Sequence, residues 1–323
     1  MQCHRLLALA ALFAWSGLAI AQSAADFPQR PLKIIAPFPP GGATDVLSRL
    51  IGPKLTEAWG QQVVVENRPG GAAVIGTEIV ARSPADGYTM GMFLTPHAVN
   101  PYVFKSLPYD TLRDFTAVSL VAIVPGILSV HPDVPAKSVA ELIALAKAKP
   151  GTLAYGTPGP LTSGHLSIEM LKYKAGIEIV HIPYKGGAPA IADLVGGRIQ
   201  MIINSPPSVI PHMKAGRLRA LATTAAKRST GLPEVPTIAE TGVPGFDMFE
   251  WYGLFAPGKT SRDVVDKLGR EVARIVQLPD IRERIIALGG EPVGNLPDEF
   301  GAFFKKEYES WAEISKQIKL SID

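Results

Sequence analysis

Two short turns carry the residue types best suited to chemistry in this chain. The first is Pro37-Phe38-Pro39-Pro40-Gly41-Gly42, with Thr44 and Asp45 just beyond it. It follows the apolar run Leu32–Ala36 and precedes Val46, Leu47, Leu50 and Ile51 at helical spacing. Strand, tight turn, helix aims free backbone N–H groups at an anion, and Gly41 and Gly42 let the backbone come close to it. Between Lys33 and Arg49 there is no Lys or Arg, so an anion here would be held by peptide dipoles. The second turn, Tyr155-Gly156-Thr157-Pro158-Gly159-Pro160-Leu161-Thr162-Ser163-Gly164-His165, also follows a strand-like run and opens a helix. Thr157, Thr162 and Ser163 supply hydroxyls there. Read without a ligand, the first stretch is an ordinary strand-to-helix turn, and Thr162 or Ser163 is an N-cap. Two such turns in one chain point further, to one anion gripped from both sides.

Catalytic constellations are weak by comparison. Ser163 and His165 suggest a nucleophile and base for a periplasmic hydrolase. However, residues two apart at a helix start do not face each other, and no G-x-S-x-G elbow frames either. His165 and Glu169 are four apart, but two ligands do not make a metal site; His97, His131, His181 and His212 are scattered. No metal and no cofactor is expected. Gly253-Leu254-Phe255-Ala256-Pro257-Gly258-Lys259-Thr260 matches the P-loop pattern literally. Against nucleotide binding, Leu254–Ala256 reads as continuing strand, and no apolar run ends in a Walker B aspartate; Met201–Ile203 ends in Asn204.

The elements that would position these turns alternate throughout. Strand-like runs are Leu32–Ala36, Gln62–Glu66, Thr89–Leu94, Ala117–Val124, Gly126–Val130, Leu153–Gly156, Glu178–Ile182, Ile199–Asn204, Leu218–Thr223 and Phe249–Phe255. Helical patterns cover Thr44–Ala58, Ser138–Ala148, Ser163–Tyr173, Ala188–Val195, Ser261–Val276, Ile281–Leu288 and Asp298–Ile318, with Ser138 and Glu141 spaced as a capping box. Such alternation predicts an α/β fold with parallel or mixed sheets covered by helices. Ala117–Val130 is one apolar stretch broken by Pro125-Gly126, as though a strand passes between units, and Phe246–Pro257 is a second crossing. Two crossings predict a discontinuous domain 1, residues 22–125 plus 247–323, and a domain 2, residues 126–246. A ligand cleft is then expected between two α/β lobes, where strand C-terminal ends and helix N-termini face it.

Residues 1–21 carry one Arg (Arg5), the apolar stretch Leu6–Trp15, and Ala19-Ile20-Ala21 before Gln22, the pattern of a cleaved secretory signal peptide. The periplasm is the expected destination. The one cysteine, Cys3, lies within that signal, so the mature chain carries no thiol or disulfide. Hydrophobic residues are 47% and charged residues 19%, which excludes disorder. Net charge is +3, and the basic residues are scattered without interleaved aromatics, so nucleic acid is not an expected partner. Lys305–Lys319 mixes Lys with Glu, as a solvated helix face does.

An ordered set of segments then carries a resemblance: PFPPGGATD (37–45), GQQVVVENRPGG (60–71), ADGYTM (85–90), NPYVFKSLPYD (100–110), PAKSVAELIALAKAKPG (135–151), HIPYKGGAPAIADLVGGRI (181–199), AGRLRALATT (215–224), LPEVPTIAETGVPGF (232–246) and WYGLFAPGKT (251–260). Over nearly the whole mature chain this resembles the Bug family, the periplasmic solute-binding receptors of tripartite tricarboxylate transporters. The resemblance implies a type II periplasmic-binding-protein fold, a small organic acid as ligand, and delivery to large and small membrane subunits or to a sensor protein. It also implies a monomer without catalysis. The ligand-binding residues it implies are Phe38, Pro40, Gly41, Gly42, Thr44 and Asp45 in the first turn. Thr157, Gly159, Thr162 and His165 follow in the second, with Thr95, Asn204 and Ser205 after strands facing the cleft. Specificity is expected near Phe38, Thr95, Asn204 and Trp251. The chain departs from the family where Leu161 and Thr162 stand for a Gly-Ser pair and Asn204 for a common Asp. Leu161 resists φ > 0, which predicts a reshaped loop; Asn204 removes a repulsive charge, which predicts room for a second acidic or hydroxylated ligand group.

Overall fold

The structure is a computed structural model that describes residues 26–229 and 231–318; the predicted signal segment lies outside them. Two mixed sheets organise the chain. The first has the order β11-β4-β10-β3-β1-β2, built from β1 (Leu32–Ala36), β2 (Val63–Asn67), β3 (Thr89–Leu94), β4 (Phe115–Pro125), β10 (Phe249–Pro257) and β11 (Glu291–Pro292). The second has the order β7-β6-β8-β5-β9, built from β5 (Ile127–Val130), β6 (Ala154–Thr157), β7 (Val180–Pro183), β8 (Met201–Asn204) and β9 (Arg219–Thr223). In each lobe the strands that lead into the candidate turns are parallel neighbours: β1 with β3, and β6 with β8. Their C-terminal ends, and the loops that follow, therefore lie side by side.

Local chemistry accounts for most of these elements. β1 is buried at Leu32, Ile34, Ile35 and Ala36, the near-continuous apolar run expected of a parallel strand covered on both faces. The helix Ala43–Trp59 buries Leu47, Ile51 and Leu55 four residues apart. It stops at Gly60, whose φ of 66° admits the left-handed cap that sends its N–H to Thr56 O at 2.8 Å. Ser138 caps its helix by accepting from Glu141 N at 3.2 Å, but Glu141 answers Lys137 N and not the cap itself. The full reciprocal box belongs to Thr237 and Glu240, a site the sequence pattern left unmarked.

The chain passes from the first sheet to the second between β4 and β5 and returns before β10. β4 runs into β5 across Gly126, and Thr224 ties both crossings: its Oγ1 accepts the Gly126 N–H at 2.8 Å and its carbonyl accepts the Met248 N–H at 2.9 Å. Four helices escaped the sequence reading: Val74–Ala81, Pro96–Val103, Pro206–Lys214 and Ile238–Thr241. They are short, and prolines within two of them mask their periodicity, at Pro101 and Pro211. The P-loop reading fails on packing. Leu254–Ala256 are buried in β10, a Cβ at Gly253 would meet the Phe300 ring, and one at Gly258 would meet the Arg113 carbonyl. These glycines serve close approach by the protein itself and cradle no phosphate.

Candidate functional site

The first turn is braced by its own helix. Gly41, at φ 82°, donates its N–H to Asp45 Oδ2 at 2.9 Å, and Asp45 Oδ1 accepts from Arg49 Nε at 2.8 Å. Asn67, at the end of β2, donates to the Phe38 carbonyl at 3.1 Å and accepts from Arg49 at 3.2 Å. Burial alone would raise the Asp45 carboxyl; the Gly41 N–H, Asn67 and Arg49 outweigh it and hold it below the usual carboxylate range. Gly42 caps the helix with no side-chain bond, so the N–H groups of the first helical turn project from the turn without intrahelical acceptors. Phe38 is half-buried and Pro40 and Gly41 are exposed, whereas Thr44 is 1% exposed.

The second turn repeats the device with other chemistry. Leu161 adopts φ 59° and donates its N–H to His165 Nδ1 at 3.1 Å. Thr162 Oγ1 bonds Gly159 O at 2.9 Å, and Thr157 Oγ1 pairs with His181 Nε2 at 2.7 Å. The imidazoles of His165 and His181 stack 4.3 Å apart. Burial, then His181, pushes His165 down to about 4, so the ring is neutral, its Nδ1 accepts, and its proton sits on Nε2. The expectation that Leu161 resists positive φ is corrected here. Leu161 takes the left-handed conformation despite a cost of about 1–2 kcal/mol. Its side chain is 1% exposed among the first lobe's aromatic core, a burial that offsets this by about 2 kcal/mol.

Among the buried polar side-chain atoms that make no hydrogen bond within the described residues, two lie beside the candidate turns and strand ends: Thr44 Oγ1 in the first lobe and Asn204 Nδ2 in the second. The other end of Asn204, Oδ1, accepts from Ser205 N at 2.8 Å, and Ser205 Oγ meets Ser208 Oγ at 3.2 Å. Thr95, 2% exposed, follows β3 and opens the helix Pro96–Val103; its Oγ1 makes no hydrogen bond of good geometry. Buried polar groups are nearly always satisfied, so such atoms call for a partner.

Glu250 joins the two sets, and it was not among the residues read from the sequence. Its Oε1 accepts the Thr95 N–H at 3.0 Å. Burial pushes its carboxyl above the usual range, and hydrogen bonds from Thr95 and, across the junction, from Ser163 pull it partly back. An acid inside the apolar run of β10 was the available signal. The Ser163 hydroxyl thus lies with Glu250, and His165 is engaged by Leu161, so the hydrolase pairing does not form. Glu169 likewise is held by Tyr155 at 2.5 Å and Lys172 at 2.6 Å. Among the described residues no cluster of three or more His, Cys, Asp or Glu could hold a metal ion. Trp251 does not border a pocket: it is 0% exposed and packs against Phe300 and Phe304. The groove of about 450 Å³ lined by Met170, Tyr173, Phe303, Glu307 and Trp311 lies elsewhere, under the C-terminal helix.

Two α/β lobes, strand C-terminal ends paired in each, and helix starts meeting through one carboxylate define a two-lobed solute-binding protein. The chain belongs to the family described as tripartite tricarboxylate transporter family receptor, whose profile matches residues 47–320. It is 39% identical to Protein BugT of Bordetella pertussis over 98% of both chains. It is similar to the solved structure of R. palustris Rpa4515 with adipate, at 38% identity and a TM-score of 0.81, covering 92% of this chain and 100% of that one. It is also similar to MatC of Rhodopseudomonas palustris with bound malate, at 28% identity and a TM-score of 0.76, covering 89% and 99%.

Proposed function

We propose that this protein is an exported receptor that captures a small organic carboxylate between its lobes and hands it to the membrane subunits of a tripartite transporter, without catalysis. The observation that carries the reading is that Thr44 Oγ1, at the start of the helix after the first turn, and Asn204 Nδ2, at the end of β8, one in each lobe, are among the buried polar atoms that make no hydrogen bond within the described residues. Family membership and the adipate and malate held by the two R. palustris proteins support the ligand class. We assign domain 1 to residues 22–125 plus 247–323 and domain 2 to 126–246, with residues 1–21 removed on export to the periplasm.

The ligand site in this reading is the two turns with Thr95, Asn204 and Ser205. A buried carboxylate is costly unless several donors meet it, and helix-start N–H groups and hydroxyls provide charge-assisted bonds without a fixed counter-charge. Contacts to both lobes favour the closed form, and the equilibrium moves only by the ligand's differential affinity for it. Asp45 and His165 act by holding the turns. The test is a thermal-melt screen of residues 22–323, stripped of retained ligand, against mono-, di- and tricarboxylates, each beside its neutral amide. A ligand at a thousandfold over its dissociation constant stabilises by about 4 kcal/mol. An upward shift with one acid and none with its amide is the expected result; equal shifts with both would sink the carboxylate reading.

A further inference from the structure

Strand β10 carries one acid in an otherwise apolar run, Phe249-Glu250-Trp251-Tyr252-Gly253-Leu254-Phe255. Trp251 and Phe255 pack with Phe300 on one face, so strand alternation sends Glu250 the other way. β10 pairs antiparallel with β3, Tyr252 opposite Leu94, which sets Glu250 just past the end of β3. There it accepts the Thr95 N–H at 3.0 Å. From the second lobe, the helix Ser163–Ala175 packs against β10, and Leu161 and Leu166 enter the same core as Trp251. The helix starts of both lobes thus converge on a carboxylate that belongs to the chain.

Resting on the carboxylate-receptor reading, we propose that Glu250 determines specificity. It takes the anion position between Thr95 and Ser163, so the ligand is a monocarboxylate whose far end bears a hydrogen-bond donor, an ammonium or a hydroxyl, in place of a second carboxylate. The Thr95 N–H is spent on Glu250, while Thr44 Oγ1 and Asn204 Nδ2 make no hydrogen bond among the described residues and are the donors the proposal gives to the ligand's own carboxylate. The turns at 37–48, 95–100, 155–165 and 204–208 contain no Lys or Arg to neutralise two acids side by side. Lys185, on the loop tied to Pro158 through the Gly186 N–H, is exposed. A second ligand carboxylate would meet the Glu250 carboxylate at this junction, and such like-charge contacts exclude partners.

The test is isothermal titration of the mature protein with length-matched sets: succinate, 4-aminobutyrate and 4-hydroxybutyrate, then the five- and six-carbon sets up to adipate. The wild type should bind the amino or hydroxy acid at least about tenfold more tightly than the diacid of that length, the scale of one like-charge contact. Glu250→Gln, which keeps an acceptor for Thr95, should erase or reverse that preference, and Glu250→Ala should do the same. A wild type that favours the diacid, or a preference unchanged in both variants, overturns the assignment of Glu250 alone. If no acid of any length binds the wild type, the receptor reading falls and this inference with it.

Discussion

The turns at 37–45 and 157–165 solve one problem with different chemistry. In each, a residue at positive φ donates its N–H to a side chain four positions on, inside the first turn of the next helix: Gly41 to Asp45, and Leu161 to His165. The first lobe uses a carboxylate neutralised by Arg49 and strained backbone that glycine adopts freely. The second uses a neutral imidazole stacked on His181 and a leucine held in strain by the other lobe's core. The comparison teaches that the bracing geometry matters more than the residue that supplies it. It also shows that the second turn depends on interlobe packing, whereas the first is braced within its own lobe by Asp45, Arg49 and Asn67.

Leu161 offers the largest way to break this parallel. Leu161→Ala should lose about 3 kcal/mol in urea melts, because the buried side chain goes and the strain stays. Leu161→Gly should be less destabilised than the alanine variant by about 1 kcal/mol, since glycine relieves the positive φ. Alanine as stable as glycine would mean that strain contributes nothing. Asp45→Ala should cost about 2 kcal/mol by leaving the Gly41 N–H without its charged acceptor, with Asp45→Asn recovering part of it. Equal melting of all three proteins would remove Asp45 from the bracing role.

Acid should separate the turns. His165 is pushed down to about 4 and His97, sealed among Phe93, Phe115 and Phe304, to about 3. The unfolded chain takes up protons on these histidines near pH 6.5 while the folded chain resists. Stability therefore falls as pH drops below 6.5, by about 1.4 kcal/mol per unit for each histidine, until the folded values are reached. Asp45 works in a lower window: its folded value is depressed, so its contribution is present above 3.8 and lost as pH falls through that depressed value. Denaturation midpoints from pH 7 to 4.5 should slope less in His165→Gln than in the wild type, and an unchanged slope would refute a buried neutral imidazole at this position.

Much was legible along the chain. Apolar periodicity located ten of the strands, and the glycine-rich turns between strand and helix marked both halves of the candidate site, because spacing of two and of 3.6 is a local property. The ordered family segments also carried the membership that the profile match shows. Glu250 and Trp251 were not legible in their roles. They are adjacent in one strand, and only the packing of Phe300 and Phe304 on one face determines that the tryptophan is core and the acid faces Thr95. Leu161 shows the same division. Its sequence states a backbone penalty, while its burial, which offsets that penalty, exists only once residues 251 to 304 fold against it. Sequence by itself determined the alternating elements, the two anion-suited turns and the family. Tertiary structure alone decided which N–H groups are already spent, which polar atoms remain unpaired, and which carboxylate lies where the lobes meet. Those are properties of contacts between segments far apart in the chain, and no local pattern encodes them.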